Sequence, residues 1–351
     1  MKALLASAII LSVLLTGGCV ECGDGVCQAG EISRCPEDCR TLDNGTASST
    51  ESAVNGNPFI LEAGDYDFAI RHGGLDRRYL VHVPASYDKS MPTPLVLVFH
   101  GGGGNPEGVI KQSQMNVKSD SAGFIAAYPE GTGPKLMGNT VGTWNAVRCC
   151  GQAKDNNIDD VGFVAAMLDD LETKFNVDGS RVYATGHSNG ALFSYRLACE
   201  LSDRIAAVAP NAAQDSLDDC SPPRPVSIMH FHGTGDQSAP YGGGHCGGKT
   251  SDEGWDCSPV EDYLQKWSQT NGCGGDPETT YINGNATCIS YMGCAEETEV
   301  TLCTINGSGH TWPGGQYLIN TPAWKQRVGA ITNDINANDM MWEFFKKHPI
   351  K

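Results

Sequence analysis

Short β-type runs alternate with amphipathic helical patterns along most of this 351-residue chain. Runs rich in β-branched and aromatic residues are typical of strands, and apolar residues spaced three and four apart are typical of helices that cover a sheet. The alternation predicts an α/β fold, a mainly parallel sheet flanked by helices, with an antiparallel start. Strands are predicted at residues 66–70, 78–83, 95–99, 124–128, 182–185, 205–210, 226–230 and 300–305. Helices are predicted at residues 161–175, 190–201, 260–270 and 334–347.

The N-terminus has the layout of a secretory signal peptide, predicted at residues 1–18. Met1-Lys2 precedes an uncharged apolar run over residues 3–15 and a small-residue stretch that ends at Cys19. Small residues before a cysteine also resemble a bacterial lipobox, although Thr16 stands where an aliphatic residue is preferred. The chain is therefore expected to be extracellular or at the cell surface. Membrane attachment through a lipid on Cys19 stays an open alternative to plain secretion.

A small Cys-rich module is predicted at residues 19–40. Its four cysteines, at positions 22, 27, 35 and 39, lie in a segment with almost no apolar residues, so covalent links must supply its order. Two disulfides are favoured over a zinc knuckle in an oxidising compartment. Residues 41–57 are rich in Ser, Thr, Asn and Gly, which is typical of a flexible linker. The catalytic domain is predicted at residues 58–351.

Fifteen cysteines without a repeated metal-ligand spacing favour disulfides and export. The pairing of the ten cysteines beyond residue 58 does not follow from the sequence. Cys149 and Cys150 either reach two distant partners or bond to each other in a vicinal disulfide.

Charge and histidine spacing exclude several classes of partner. The net charge is −17 and basic clusters are few, so a nucleic-acid surface is not expected. His230, His232 and His245 lie near Cys246 in sequence, but no metal-binding spacing such as H-E-x-x-H accompanies them. We predict no metal site and no cofactor.

The sequence G-H-S-N-G at residues 186–190 lies between a predicted strand and a predicted helix. A strand–turn–helix setting with glycines on both sides holds the central serine in a sharp turn with its hydroxyl exposed. Ser188 is therefore the predicted nucleophile. A serine hydroxyl needs a base to remove its proton and donors to stabilise the acyl oxyanion.

Oxyanion donors are predicted in two loops. The strand at residues 95–99 leads into H-G-G-G-G-N at residues 100–105, whose bare backbone can approach a bound ester closely. Gly102 is the first choice of N–H donor, with Gly103 as the alternative, and Asn189 is the second donor. His100 is expected to order this loop rather than act as the base.

Candidates for the acid and the base follow the nucleophile in the order that this type of site requires. Asp236 comes after the strand at residues 226–230, and His310 comes after the strand at residues 300–305. His310 would take the serine proton while Asp236 orients the imidazole. Asp159 and Asp160 are rivals for the acid, but they precede Ser188 at a predicted helix N-terminus, where Asp caps free N–H groups.

Three further side chains are predicted to bind substrate. His187 stands next to the nucleophile and is expected to line the pocket. Trp144 and Trp312 would stack on an aromatic acyl group or a sugar, with burial in the core as the alternative.

The order of these motifs resembles one family. H-G-G-G-G-N, G-T-W-N-A…C-C-G, N-I-D-D-V-G-F, G-H-S-N-G, H-G-T-G-D and G-H-T-W-P-G-G follow one another as in the polyhydroxybutyrate depolymerase-like and feruloyl esterase-like family, which is related to carbohydrate esterase family 1. The resemblance covers roughly residues 60 to 349. It implies an α/β-hydrolase fold, a triad of Ser188, Asp236 and His310, and an oxyanion hole from the H-G-G loop and Asn189.

The resemblance also implies the class of reaction. We expect a secreted serine carboxylesterase that forms an acyl-enzyme and acts on feruloyl or acetyl esters of plant polysaccharide. A polyhydroxybutyrate depolymerase, which acts on polyester or its oligomers, is the alternative within the same class. A surface binding protein with an inactive hydrolase domain is the alternative from another class.

Overall fold

A ten-stranded sheet organises the chain in the computed structural model, which describes residues 61–215, 217, 219–247 and 254–351. The strands, including two short hairpins outside the sheet, are β1 (Gly64–His72), β2 (Leu75–Val83), β3 (Thr93–Phe99), β4 (Ile125–Pro129), β5 (Lys135–Leu136), β6 (Asn139–Thr140), β7 (Val177–His187), β8 (Ala207–Asn211), β9 (Ser227–Gly233), β10 (Gly244–Cys246), β11 (Trp255–Cys257), β12 (Glu278–Asn283), β13 (Ala286–Tyr291) and β14 (Val300–Ile305). The helices are α1 (Pro106–Ser113), α2 (Met115–Ala122), α3 (Gly151–Asp155), α4 (Asp160–Lys174), α5 (Asn189–Glu200), α6 (Val260–Thr270), α7 (Pro322–Val328) and α8 (Ala337–Phe345).

The strand order is β1-β2-β4-β3-β7-β8-β9-β14-β13-β12. The six central strands, from β4 to β14, are parallel to one another. Antiparallel strands extend the sheet at both ends. The predicted α/β fold with a mainly parallel sheet and an antiparallel start is confirmed. Because the parallel strands all end at one edge, the loops after β3, β7, β9 and β14 meet there.

Helices cover both faces of the sheet. On β3, Leu95 and Leu97 pack on the face that carries α4, α5 and α6, whereas Val96 and Val98 pack on the face of α1, α2 and α8. Successive side chains of a strand point to opposite faces, so a continuous apolar run such as 95–99 is suited to a sheet buried on both sides. Fully burying one such side chain contributes about 1.5–3 kcal/mol.

Every predicted strand and helix is present, with boundaries that differ by a few residues. The sequence patterns missed the antiparallel strands β12 and β13, the two short hairpins β5–β6 and β10–β11, and the short helices α1, α2, α3 and α7. The strand β12 at the sheet edge is mostly exposed, so its sequence lacks the apolar residues that mark a buried strand.

Disulfides join all ten cysteines of the described residues. The pairs are Cys149–Cys150, Cys199–Cys220, Cys246–Cys257, Cys273–Cys294 and Cys288–Cys303. Of the two alternatives for Cys149 and Cys150, the structure therefore has the vicinal bond. Five disulfides in one domain fit a protein that works in an oxidising, extracellular compartment.

The predicted signal peptide (1–18), Cys-rich module (19–40) and linker (41–57) lie outside the described residues, as does Cys19. Within the described part of the chain, no helix has both the length and the apolar character needed to cross a bilayer.

Candidate active site

Ser188 lies in a sharp turn between β7 and α5. Its backbone has φ 55° and ψ −121°, a conformation that a non-glycine residue adopts only under strain. A Cβ atom on Gly186 would lie 2.5 Å from the backbone of Gly190, and a Cβ on Gly190 would lie 2.4 Å from the carbonyl oxygen of Phe99. Glycine is therefore required at both positions. The sequence folds here into the predicted strand–turn–helix arrangement, and Ser188 lines a cavity.

The glycine loop after β3 lies against this turn. A Cβ on Gly101 would lie 3.4 Å from the Cβ of Ser188, and a Cβ on Gly102 would lie 3.6 Å from the Cβ of Asn189. Both loops line the cavity at this point.

Backbone hydrogen bonding distinguishes the two candidate oxyanion donors of this loop, Gly102 and Gly103. Gly103 donates its N–H to the carbonyl of Gly142 at 2.8 Å, so that amide is already used. The N–H groups of Gly102 and Asn189 have no acceptor among the described residues. These two amides are therefore the pair able to receive an oxyanion.

His100 stabilises the loop from behind. Its Nδ1 bonds to the carbonyl of Gly101 at 2.8 Å, and its Nε2 accepts the N–H of Gly131 at 3.0 Å. Full burial lowers the pKa of His100 to about 4, so the ring is neutral near pH 7. With both ring nitrogens bonded to backbone, His100 holds the loop and is not available as a base.

Asp236 and His310 meet at the same edge of the sheet, in the loops after β9 and β14. The Nδ1–H of His310 donates to Asp236 Oδ2 at 2.7 Å. Asp236 Oδ1 accepts the backbone N–H groups of Ser238 at 2.8 Å and Ala239 at 2.9 Å. Burial raises the pKa of this carboxyl, but the imidazole of His310 and these hydrogen bonds outweigh burial and hold the pKa below its ordinary value. Asp236 is therefore an ionised, rigidly held partner for His310.

His187 lies beside His310, with 4.5 Å between the ring centroids, and both line the cavity. The Nδ1 of His187 accepts from the side-chain amide of Asn211 at 2.8 Å, and that same amide donates to the carbonyl of Thr311 at 3.1 Å. Burial, together with His310, lowers the pKa of His187 well below its ordinary value. His187 is thus a neutral ring whose one N–H is on Nε2.

The cavity has a volume of about 470 Å³, which is within the range of small-molecule sites. Ser188, His310, Gly102 and Asn189 all line it. The four predicted loops therefore converge on one opening, and Asp236 is buried behind His310 with no exposed side-chain surface.

The prediction that Trp144 and Trp312 contact substrate is wrong, because both side chains are completely buried and neither lines the cavity. Trp144 stacks on Phe193 and donates its indole N–H to the carbonyl of His100 at 3.0 Å. Trp312 donates to Asn338 Oδ1 at 2.9 Å. Both tryptophans stabilise the loops behind the site, as the alternative of core burial stated.

Sequence patterns missed two walls of the cavity. One is the Cys149–Cys150 disulfide, which lies next to Asn189: the Asn189 side-chain amide is 3.9 Å from Cys149 Sγ. The other is a segment after His310 that contributes Tyr317, Trp324 and Arg327. Neither wall carries a spacing that indicates its position. Only the adjacent cysteines Cys149 and Cys150 indicate an unusual local structure in the sequence.

Three of the residues that raised the metal alternative have other partners. Cys246 is bonded to Cys257, and His230 and His232 bond to each other at 2.9 Å. The described residues include no group of three or more His, Cys, Asp or Glu side chains placed to hold a metal ion.

The chain is similar to several known esterases. A family model described as Esterase PHB depolymerase matches residues 78–238. Feruloyl esterase B of Piromyces equi is 32% identical over 246 residues, which are 68% of this chain and 44% of that protein. The bifunctional acetylxylan esterase/xylanase XynS20E of Neocallimastix patriciarum is 26% identical over 236 residues, which are 66% of this chain and 31% of that protein. The chain spans less than half the length of these two relatives.

A solved structure shares the fold. The acetyl xylan esterase from Aspergillus awamori superposes with a TM-score of 0.51 and 16% sequence identity, covering 76% of this chain and 98% of that one. This superposition shows the α/β-hydrolase fold. The family model and the two relatives show that the chain is similar to the polyhydroxybutyrate depolymerase-like and feruloyl esterase-like family.

Proposed function

We propose that this chain is a serine carboxylesterase in which Ser188 is the nucleophile, His310 the base and Asp236 the acid. The observation that supports this most is the convergence of a strained Ser188, the Asp236–His310 pair and two unpaired amides on one cavity. This is the set of groups that acyl transfer requires. Nothing in the set favours an inactive binding protein.

The proposed cycle has two half-reactions. His310 Nδ1–H is held by Asp236, which leaves Nε2 to take the proton of Ser188 as its Oγ attacks the ester carbonyl. The oxyanion is stabilised by the N–H groups of Gly102 and Asn189, and the leaving alcohol receives the proton from His310. Water then attacks the acyl-enzyme by the same proton transfers in reverse, which releases the acid and frees Ser188.

The relatives and the cavity together support the proposed substrate class. The two relatives are named for feruloyl and acetylxylan esters. A cavity of about 470 Å³ is within the range of small-molecule sites, and its walls include the apolar side chains of Leu192, Tyr317 and Trp324. We therefore place feruloyl or acetyl esters of plant polysaccharide first and polyester oligomers, the substrates of a polyhydroxybutyrate depolymerase, second. His187 would bind the substrate through its Nε2–H.

Labelling and turnover test the nucleophile. Wild-type protein should hydrolyse p-nitrophenyl acetate and bind a fluorophosphonate covalently, and Ser188→Ala should abolish both. Ser121→Ala, at the exposed end of α2 and outside the cavity, is the matched control and should retain both signals. A wild-type protein that neither hydrolyses the ester nor takes the label would refute the enzyme proposal.

A second assay separates the two substrate classes. Methyl ferulate should be turned over with a higher kcat/KM than a hydroxybutyrate oligomer. The reverse order would assign the chain to polyester hydrolysis.

The N-terminal organisation belongs to the same proposal: signal peptide at 1–18, Cys-rich module at 19–40, linker at 41–57 and catalytic domain at 58–351. The disulfides support an exported enzyme. The intact mass of the mature protein tests this directly, because cleavage before Cys19 and a lipid on its sulfur each change the mass by a defined amount. An uncleaved N-terminus would contradict it.

A further inference from the structure

Three buried polar side chains form a hydrogen-bonded chain next to the loop after β9 that carries Asp236, here called the acid loop. The proposed reaction does not use this hydrogen-bonded chain. Tyr195 on α5 and His230 and His232 on β9 have no accessible surface. The Tyr195 hydroxyl is 2.9 Å from His230 Nδ1, and His230 Nε2 is 2.9 Å from His232 Nδ1. His232 Nε2 is 2.8 Å from the carbonyl oxygen of Ala239.

One arrangement of protons satisfies every link. The carbonyl of Ala239 can only accept, so His232 must carry its proton on Nε2. A neutral imidazole has one N–H, so His232 Nδ1 accepts, and His230 must donate from its own Nε2. His230 Nδ1 then accepts from the Tyr195 hydroxyl.

The side chains stay neutral in this arrangement. Burial lowers the pKa of both imidazoles and raises that of the Tyr195 hydroxyl. Tyr263 and Trp267 pack on Tyr195, and Asp215 is the charged group that acts on the Tyr195 hydroxyl. Tyr241 packs edge-on against His232, and Asp236, His187 and His310 lie beyond it.

One end of this hydrogen-bonded chain lies at Asp236, the proposed catalytic acid. Ala239, whose carbonyl accepts from His232, donates its own N–H to Asp236 Oδ1 at 2.9 Å. His232 Nε2 also lies 3.7 Å from Asp236 Oδ2, the oxygen that receives His310. The other end, Tyr195, is on the helix that begins at the nucleophile turn. The three side chains therefore connect the helix of Ser188 to the loop of Asp236.

We infer that His232 is a positioning residue for Asp236, and that Tyr195 and His230 hold it in the Nε2–H tautomer that binds the acid loop. This inference rests on the proposed function. It assigns no contact with substrate to any of the three residues. Their effect on catalysis acts through the orientation of Asp236 and hence of His310.

Two substitutions at one position test the inference. His232→Phe keeps a ring but removes the N–H, and we expect kcat per active site to fall about 10- to 100-fold, because a displacement of the order of 1 Å costs up to that much. KM should change less than twofold. His232→Gln can present an N–H near the position of Nε2, so it should recover most of the loss. Active sites are counted by fluorophosphonate titration, which removes any effect of misfolded protein.

Tyr195→Phe removes only the far end of the hydrogen-bonded chain, and we expect a decrease in kcat of about fivefold, the value of one hydrogen bond.

In His232→Phe the acidic limb of the plot of kcat/KM against pH should also move to lower pH, because a weaker Asp236–His310 bond stabilises the imidazolium less. A purely structural role would lower the melting temperature and leave both the titrated kcat and this limb unchanged, and that result would overturn the inference. Equal losses in His232→Phe and His232→Gln would overturn it too.

The tautomers provide a readout that does not depend on activity. Nitrogen-15 NMR of the wild-type protein should show His230 and His232 protonated on Nε2. A proton on His232 Nδ1 would overturn the inference even if the enzyme is active. A wild-type protein with these tautomers but without esterase activity would instead refute the proposed function and leave the hydrogen-bonded chain in place.

Discussion

Asp236 and Asp160 are two fully buried aspartates with opposite surroundings. Asp236 lies at the end of β9, bonds to His310, and has a cavity on the far side of that imidazole. Asp160 lies in the first turn of α4 and bonds to the guanidinium of Arg77 at 2.6 Å and to the N–H of Asn145 at 2.8 Å. The side chain of Arg77 is almost as buried as that of Asp160. One carboxylate is paired with a group that can exchange protons, and the other with a group that cannot.

The pKa values of the two carboxyls move in opposite directions. Burial raises the pKa of Asp160, and Arg77 and Asn145 oppose this increase without cancelling it. The pKa of Asp236 is lowered despite similar burial, because His310 and two backbone N–H groups stabilise its charge. Burial alone therefore does not identify a catalytic acid. The two carboxyls differ in their partners: Asp236 bonds to an imidazole that lines the cavity, and Asp160 bonds to a guanidinium.

Replacement of each aspartate by asparagine should give the largest difference in activity between the two positions. Asp236→Asn keeps the shape but allows His310 to adopt the wrong tautomer, so we expect kcat to fall roughly 10⁴-fold. Asp160→Asn can still accept from Asn145 and should keep kcat within about threefold of wild type. Both are measured on p-nitrophenyl acetate with titrated active sites. Comparable losses in the two variants would refute the assignment of Asp236 as the acid.

The ion pair between Asp160 and Arg77 should affect the stability of the fold and not the activity. Arg77→Met leaves Asp160 buried without a cation, and we expect the free energy of unfolding to fall by about 3–5 kcal/mol at pH 7. Arg77→Met combined with Asp160→Leu removes both charges and should recover most of that loss. Urea unfolding followed by circular dichroism measures both. If the double variant is no more stable than the single one, the loss comes from packing on Phe163 and not from the stranded charge.

The sequence predicted that Asp236 bonds to His310, and the structure has that bond, but the sequence misjudged Asp160. The motifs around Ser188, His100–Asn105 and His310 carry local constraints, such as glycines that a Cβ would block, and these are visible in a short segment. Capping describes Asp159, which accepts the N–H of Gly162 at 2.9 Å. It does not describe Asp160, whose partner Arg77 is 83 residues away in sequence. No local pattern encodes such a pair.

The same limit explains the misplaced tryptophans and the missed walls of the cavity. Trp144 and Trp312 stand inside motif segments, and a motif gives no information on which side of the backbone is buried. The Cys149–Cys150 disulfide and the segment with Trp324 reach the cavity through tertiary packing alone. The central fold could be predicted because its apolar patterns repeat in each strand of the parallel sheet and in the longer helices. The substrate walls could not, because each occurs once.

The pH dependence of stability should sharpen the contrast. A carboxyl with a raised pKa binds more protons when folded, so the contribution of Asp160 to stability is complete below the ordinary value of 3.8 and is lost as pH rises through its raised pKa. The contribution of Asp236 is complete above 3.8 and is lost as pH falls through its lowered pKa.

Urea unfolding from pH 3 to 7 tests these signs. The difference in unfolding free energy between wild type and Asp160→Asn should decrease as pH rises. The difference between wild type and Asp236→Asn should decrease as pH falls. Each slope is limited to about 1.4 kcal/mol per pH unit, the value for one proton. Slopes of the same sign would show that the pKa values of the two carboxyls are not shifted in opposite directions.

Asp159 is the exposed neighbour of Asp160 and provides the smallest test. Its carboxylate accepts the N–H of Gly162 as the N-cap of α4 and also contacts His72 Nε2 at 2.9 Å. Asp159→Ala should cost about 1 kcal/mol of unfolding free energy, the usual value of a cap, with kcat unchanged. Asp159→Ser keeps a capping oxygen but is too short to hold His72, so it should retain most of the stability. Equal losses in the two variants would mean that the contact with His72, and not the cap, stabilises this end of the helix.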